Sequence, residues 1–318
     1  MIIDFSCHHI SRKVGQILAR GKWYGAGKVM AYPVQNADPE VRLALMEKYG
    51  VDTQALTQTA PVIVDCSPEE AAEICRISND DNFALCKAYP KKFVNIGMVS
   101  LLDVKSALTE IDRGVQELDF RALTIGSNAG GKGLDFPEFY PFWDKAVKTD
   151  LPVFIHPVQW KDYPLVDTEK GWRNMLVLGW PFDTSQAAWR LVLGGIIDRY
   201  PTLKIVLHHY GAMLPFFARR IEQNIRLTLK DRLPRDIHEY WGNFYGDTAL
   251  DGSVASYPCG YAFFGPDRSV FGTDYPFGAE DGEDFYRMNL AGVRAMNIPP
   301  EAMDKILGGN AQKLLKIK

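Results

Sequence analysis

Short apolar segments alternate with longer segments whose apolar residues recur at helical spacing, and the alternation continues along the whole chain. Such repeated units are typical of parallel sheets, because parallel strands need a long crossover that is usually a helix. The pattern predicts eight strands, the number found in a (β/α)8 TIM barrel. The predicted strands are 2–8, 53–59, 93–99, 121–126, 152–156, 203–209, 243–248 and 269–274, and the predicted helices include 68–89, 136–149, 184–200 and 212–228.

Two aromatic segments, 10–37 and 157–183, interrupt this alternation, and each follows a predicted strand. Loops at that end of barrel strands build the active-site face, so we expect long loops after strands 1 and 5 that act as lids or substrate walls. Their other interpretation is subunit contact, since aromatic residues are enriched at interfaces. No repeat or Ser/Gly linker divides the chain, which favours a single domain over 1–318.

Charge and cysteine content narrow the class of protein. The chain has 318 residues, with 36 Lys and Arg against 39 Asp and Glu, and no basic block that would indicate a nucleic-acid partner. No apolar run reaches the length of a membrane helix, and Asp4 interrupts the first one, so a cytoplasmic protein is expected. The 5 cysteines are scattered without a C-x-x-C pair, which argues against disulfides and a Cys-rich zinc module.

The positions of the histidines indicate a candidate metal-binding site. Of 6 in the chain, five lie at the last residue or two of a predicted strand. Side chains there project into the shared mouth of a barrel, where groups distant in sequence converge. Imidazoles together with a carboxylate suit a divalent ion such as Zn²⁺ in an open catalytic site. The groups expected to converge are His8, His156, His209 and Asp274.

Alternation along a strand separates the members of each adjacent histidine pair. It places Asp4, Ser6 and His8 on the inner face and His9 on the opposite one. The same parity favours His209 as the inner residue and places His208 on the opposite face, where it is expected to pack against a helix as a structural residue or to support the site from behind its ligands. His238 lies in a polar segment after a helix, and we expect it to be exposed.

Several ordered motifs resemble the amidohydrolase-related family, in the branch that contains the aminocarboxymuconate-semialdehyde decarboxylases and the γ-resorcylate-type decarboxylases. The resemblance covers nearly the whole chain, and the order and spacing of the motifs make it specific. It implies a (β/α)8 barrel with one divalent metal ion and either non-oxidative decarboxylation or hydrolysis. The motifs are DPEVRLALMEKYGVDTQALTQTAPV (38–62), GVQELDFRALTIGSN (114–128), PVFIHP (152–157), LVLGGIIDRYPTLKIVLHHYGAMLPF (191–216), NFYGDTAL (243–250), VFGTDYPFG (270–278) and ILGGNAQKLL (306–315).

The resemblance implies a set of metal ligands, and this chain departs from the family pattern at one of those positions. Carried over by position, His8, His156 and Asp274 are the expected ligands of Zn²⁺, with Mn²⁺ as the alternative. The family pattern has a His or Glu two residues before the second strand-one ligand, and here that position is Ser6. A hydroxyl is a poor ligand for such an ion, so three outcomes are open: a site of three protein ligands with water, which is the one expected, a loosely held metal, or no metal.

The resemblance also implies catalytic and substrate-binding positions. His209 and Asp274 are the expected catalytic residues, with His209 as general acid or base because an imidazole titrates near neutral pH. Trp160, Trp180 and Asp247 are expected to contact substrate. Independently of the resemblance, Trp172, Trp180 and Phe182 in the long loop predicted after strand 5 favour a flat unsaturated ligand. Core packing is the other interpretation of the tryptophans.

Three functions follow for this expected site. The first is decarboxylation of an aromatic or unsaturated carboxylic acid, and the second is hydrolysis or hydration of a ring-cleavage product or lactone. The third is a catalytically inactive barrel that acts as a binding protein, because one fold supports many functions. A small carboxylic acid substrate and a homodimer or higher homo-oligomer are expected as partners.

Overall fold

The structure is a computed structural model that describes residues 1–20, 38–63, 66–158, 175–229 and 231–317. Eight strands form one sheet in which every strand neighbours the next along the chain. The described strands of this sheet pair in parallel. The strands are β1 (Ile3–His8), β2 (Thr53–Thr57), β3 (Phe93–Met98), β4 (Ala122–Gly126), β5 (Val153–His156), β6 (Ile205–Leu207), β7 (Phe244–Asp247) and β8 (Ser269–Val270).

Backbone hydrogen bonds between the first and last strand regions close this sheet into a barrel. The amide of Phe5 donates to the carbonyl of Phe271 at 2.8 Å, and the amide of Asp274 donates to the carbonyl of Ser6 at 2.8 Å. The TIM barrel predicted from the sequence is therefore confirmed. Each of the eight predicted strands is present, although β2, β6 and β8 end two or more residues earlier than the pattern indicated.

The interior of the barrel is apolar at the end opposite the strand C-termini. Phe5, Phe154 and Val206 belong to one buried cluster, which Leu314 and Leu315 of the last helix complete. Burial of this kind contributes roughly 25 cal/mol per Å² of apolar surface, so the lower half of the barrel stabilises the fold. The polar strand ends above it are left free to form a site.

Helices follow the strands and cover the outside of the barrel. The third of them illustrates the local signals, since Ser67 and Glu70 form a reciprocal capping box at its start, and its bounds match the predicted helix 68–89 within a residue. None of the described helices has the length and apolar character needed to cross a bilayer. The helices are α1 (Arg12–Arg20), α2 (Pro39–Tyr49), α3 (Pro68–Ala88), α4 (Val104–Glu117), α5 (Tyr140–Thr149), α6 (Trp180–Leu193), α7 (Ile196–Arg199), α8 (Leu214–Asn224), α9 (Ile237–Tyr240), α10 (Ser256–Phe264), α11 (Glu283–Arg294), α12 (Pro300–Asp304) and α13 (Asn310–Leu315).

Three expectations about the helices and long loops are corrected. The segment 10–37 contains α1, and the segment 157–183 contains the start of α6, so Trp180 lies on a helix and not in a loop. The predicted helix 184–200 starts earlier and is broken, because Gly195 takes a left-handed conformation with φ of 76° between α6 and α7. Trp160 and Trp172 lie outside the described residues.

Strand β1 is irregular, and this changes which residues share a face. Its register with β2 shifts between Asp4 and Cys7. Asp4 therefore does not lie with Ser6 and His8, as simple alternation predicts. Its carboxylate contacts Gln54, whose amide also contacts Tyr286 on α11, on the helix side of the sheet.

Candidate active site

Three imidazoles converge at the carboxyl ends of the strands. His8 ends β1, His156 ends β5 and His208 follows β6, and one ring nitrogen from each lies within 4.8 Å of those of the other two. Asp274, beyond β8, joins them, with its Oδ1 at 2.8 Å from His8 Nε2 and 3.3 Å from His208 Nε2. His9 points elsewhere, with Nδ1 at 2.7 Å from Asn82 Oδ1, so His8 is the inner residue as predicted.

Hydrogen bonds at Nδ1 determine which ring nitrogens are free. His156 Nδ1 lies 2.7 Å from the carbonyl of Pro157, which only accepts, so Nδ1 carries the proton. The Thr57 hydroxyl donates to the carbonyl of Cys7 at 2.8 Å and lies 2.8 Å from His8 Nδ1. A hydroxyl that donates to a carbonyl accepts from its other neighbour, so His8 Nδ1 is also protonated. Both rings therefore present the lone pair of Nε2.

A carboxylate fixes the orientation of the His208 ring through Nδ1. Its Nδ1 lies 2.6 Å from Asp247 Oδ2 and 3.1 Å from Ser6 Oγ. The other oxygen of Asp247 accepts the backbone N–H groups of His209 and Ala249 at 3.0 and 3.1 Å. Asp247 is completely buried and lies behind His208, so its expected contact with substrate stays a prediction.

The prediction that His208 lies on the strand face opposite the site is wrong. Regular strand geometry ends at Leu207, two residues before the end that the pattern indicated. Val206 lies in the barrel interior and Leu207 in the outer hydrophobic cluster, so the next inner residue is His208. His209 then turns through a left-handed conformation with φ of 53°, and alternation no longer applies to it.

That turn still brings His209 to the mouth of the site. Its Nε2 lies 3.8 Å from Asp274 Oδ2, and its side chain is 21% exposed, whereas His208 is 1% exposed. Its Nδ1 is buried and has no hydrogen-bond partner within the described part of the chain. A buried N–H without an acceptor is costly, so the neutral ring carries its proton on Nε2, toward Asp274.

Burial and charge set the protonation of the group. Burial lowers the pKa of His8. Burial also lowers the pKa of His156 well below its usual value, and the nearby charges of His208 and His8 add to this effect. Burial also opposes ionisation of Asp274, but the charge of His208 and the hydrogen bond from His208 hold its pKa well below its usual value. Two neutral rings thus face an ionised carboxylate.

His208 behaves differently in the absence of a bound ion. Burial lowers the pKa of His208, but the charges of Asp247 and Asp274 outweigh that effect and raise it to about 10. The ring then carries a positive charge between two carboxylates.

The donor set fits a divalent metal ion. The bare Nε2 of a neutral His8 lies 2.8 Å from an anionic oxygen of Asp274, an approach that is repulsive unless a proton or a cation neutralises it. Imidazole nitrogen and carboxylate oxygen are the ligands that Zn²⁺ and Mn²⁺ accept in proteins. Imidazoles oriented by hydrogen bonds at Nδ1 are typical of metal ligands.

Aromatic rings flank the histidines. Trp180 packs edge-on against His156 with ring centroids 5.8 Å apart, and Phe277 lies 5.6 Å from the ring of His8. Trp180 is 8% exposed and Phe277 is half-buried. The expected contacts of Trp160 with substrate fall outside the described residues.

A buried carboxylate fixes the chain just after His156. Asp183 on α6 accepts the hydroxyl of Ser127 and, at 3.1 Å, the amide of Val158, while the amide of Ser127 donates to the carbonyl of His156 at 2.9 Å. Burial raises the pKa of Asp183 to about 6. The end of β5 is therefore anchored to the helix that carries Trp180.

Sequence reasoning missed His208, Thr57 and Phe277. The adjacent His208 and His209 were a usable signal, because two histidines at a strand end can both reach the site if the chain turns between them. Thr57 and Phe277 carry no such signal, since threonine in a strand and phenylalanine after one are ordinary core residues. His238 is exposed, as expected.

A family model described as Amidohydrolase matches residues 3–317, and the chain belongs to this family. Gamma-resorcylate decarboxylase of Rhizobium sp. (strain MTP-10005) is 31% identical over 304 residues, covering 87% of each chain. The structure of 5-carboxyvanillate decarboxylase LigW from Sphingomonas paucimobilis matches with a TM-score of 0.86 and 26% identity, over 100% of this chain and 99% of that one. A dihydroxybenzoic acid decarboxylase from Polaromonas sp. JS666, solved with bound manganese and the inhibitor 2-nitroresorcinol, matches with a TM-score of 0.81 and 25% identity, over 99% of this chain and 96% of that one.

Proposed function

We propose that this protein is a metal-dependent decarboxylase that removes CO₂ from an aromatic carboxylic acid without an oxidant. The observation that carries the proposal is the convergence of His8, His156 and Asp274 at the mouth of the barrel, where one ring nitrogen of His156 lies within 4.8 Å of one of His8 and His8 Nε2 lies 2.8 Å from Asp274 Oδ1. The decarboxylase relatives of the same family support the reaction class.

His8, His156 and Asp274 would hold the ion. Bound there, the metal would act as a Lewis acid that polarises a substrate oxygen and neutralises its charge. The protein's part is to keep the ligands deprotonated and oriented. Thr57 and the carbonyl of Pro157 do this by fixing the Nδ1 protons of the two histidines.

His209 is the group best placed to deliver a proton. Decarboxylation forms a C–H bond at the ring carbon that bears the carboxylate, and the electron pair of the broken C–C bond returns to the ring as CO₂ leaves. The Nε2 proton of His209 faces the site near Asp274. Asp274 is ionised in the resting site and cannot itself be the first donor, but it can accept a proton and pass it on.

The aromatic side chains beside the histidines suit a planar substrate. Trp180 packs against His156 and Phe277 against His8, and aromatic rings bind planar ligands by stacked or edge-to-face contacts. The relatives named above act on hydroxylated or methoxylated benzoic acids. We infer a substrate of that chemical class, with the carboxylate directed at His209.

We infer Zn²⁺ or Mn²⁺ as the ion, because two imidazoles and a carboxylate accept either metal. Zn²⁺ is the ion expected from the nitrogen ligands, whereas the manganese of one relative favours Mn²⁺. Elemental analysis of the purified protein distinguishes them. A homo-oligomer stays a prediction, and sedimentation equilibrium measures it.

The direct test is release of CO₂ from gamma-resorcylate and 5-carboxyvanillate by protein loaded with Zn²⁺ or Mn²⁺. We expect turnover that is lost on chelation, regained on adding metal back, and unchanged when oxygen is removed. Hydrolysis of an ester or lactone analogue without CO₂ release would favour the hydrolase. Absence of both metal and turnover would contradict the proposal.

A further inference from the structure

The side chains at positions 6 and 208 share one small space at the centre of the barrel. Ser6 Oγ lies 3.1 Å from His208 Nδ1, and both residues are completely buried. A Cβ atom at Gly272 would lie only 2.6 Å from the Cβ of Ser6, so the chain beside Ser6 is packed tightly. A short residue at position 6 therefore leaves room for the imidazole of position 208.

We propose that His208 is a metal ligand through Nε2 and that it replaces the ligand which Ser6 does not supply. The proposal rests on the metal-dependent function proposed above. It adds a third imidazole to His8 and His156, at the position where the sequence led us to expect only water.

The geometry of His208 meets the requirements for a ligand. Asp247 Oδ2 accepts from Nδ1 at 2.6 Å, which directs Nε2 away from Asp247. Nε2 lies 3.3 Å from Asp274 Oδ1, the same oxygen that lies 2.8 Å from His8 Nε2. The ring of His208 is also 5.1 Å from that of His156, centroid to centroid. The carboxylate behind the ring is the arrangement that orients histidine ligands in metal sites.

A different role is also compatible with these contacts. A doubly protonated His208 would donate to both Asp247 and Asp274 and would act as a fixed cation in place of part of the metal's charge. That role predicts no loss of metal affinity when the ring is removed, since a positive charge beside the site repels a divalent ion. Metal affinity therefore separates the two roles.

The experiment compares wild type with His208→Ala, His208→Asn, Ser6→Ala and the double variant Ser6→His/His208→Ala. Mn²⁺ affinity is measured from the EPR signal of free Mn²⁺, and the visible spectrum of bound Co²⁺ reports the ligand field. His208→Asn retains a donor for Asp247 and serves if the alanine variant does not fold. Ser6→Ala is the matched control, because it removes the hydroxyl and leaves the imidazole.

Both His208 variants should weaken Mn²⁺ binding more than about 100-fold, beyond the roughly 10–100-fold typical of losing an outer partner of a ligand. The double variant should recover at least about tenfold, because an imidazole at position 6 enters the vacated space, and Ser6→Ala should change affinity less than about tenfold. The Co²⁺ spectrum should shift in the His208 variants.

Two results would overturn the inference. Affinity within tenfold of wild type in a folded His208 variant would show that the ring is not a ligand, and a double variant no tighter than His208→Ala would refute the replacement. In either case wild type would still bind Mn²⁺, and the proposed function would stand. Failure of wild type to bind Mn²⁺ or Zn²⁺ would overturn both.

Discussion

His156 is the residue whose removal most cleanly separates metal binding from folding. Its ring is buried against Trp180 and His208 at the top of the barrel, above the apolar cluster that stabilises the lower half. We expect His156→Ala to lose bound metal and turnover while its far-UV circular dichroism stays that of the wild type. Exposed His238→Ala is the control. Stoichiometric metal with near-normal turnover in His156→Ala would contradict the assignment.

Substitution of His209 should have a different effect, because His209 is proposed to transfer a proton and not to bind the metal. His209→Asn should keep the metal and lower kcat by roughly 10²–10⁴-fold, with a much smaller change in substrate binding. Metal content and single-turnover rate are measured on the same preparation. Loss of metal would make His209 a ligand, and full activity with metal retained would remove it from the mechanism.

Asp183 on α6 holds the chain just after β5, and burial favours the neutral form of its carboxyl group. The pKa of Asp183 is about 6 in the folded protein, above its usual value of 3.8, so the folded state holds this proton more tightly. The stability from this group is complete below about pH 4 and falls as pH rises toward 6, by an amount of the order of 2–3 kcal/mol.

Asp183→Asn should remove this part of the pH dependence, because an amide oxygen can still accept from Ser127 and Val158. The measurement is the urea midpoint between pH 4 and 7, with exposed Asp231→Asn as the control. An unchanged slope in Asp183→Asn would show that the carboxyl group is ionised in the folded protein throughout this range.

Strand alternation predicted the positions of the strands better than it predicted the faces on which the side chains near their ends lie. The apolar periodicity located all eight strands and placed His8 and His156 at the mouth of the barrel, because each is the last residue of its strand. It misplaced Asp4 and His208. A register shift in β1 and the early end of β6 interrupt alternation at those two points, and neither is encoded in the local hydrophobic pattern.

At the scale of the whole molecule, the metal should matter more for chemistry than for folding. The large apolar clusters lie between the sheet and its helices and in the lower barrel. Chelation should therefore leave the circular dichroism spectrum unchanged and lower Tm by only several degrees, since a ligand at about 100 times its Kd contributes about 2.7 kcal/mol. Complete unfolding on chelation would mean that the site holds the barrel together.

The central claim, non-oxidative decarboxylation with a proton delivered to the ring, is tested most directly by the turnover of an aromatic acid in D₂O, followed by NMR of the product. The account predicts one deuterium per molecule, at the carbon that carried the carboxylate, with one CO₂ released per product. A product that keeps its carboxylate, or CO₂ released without deuterium at that carbon, would contradict it.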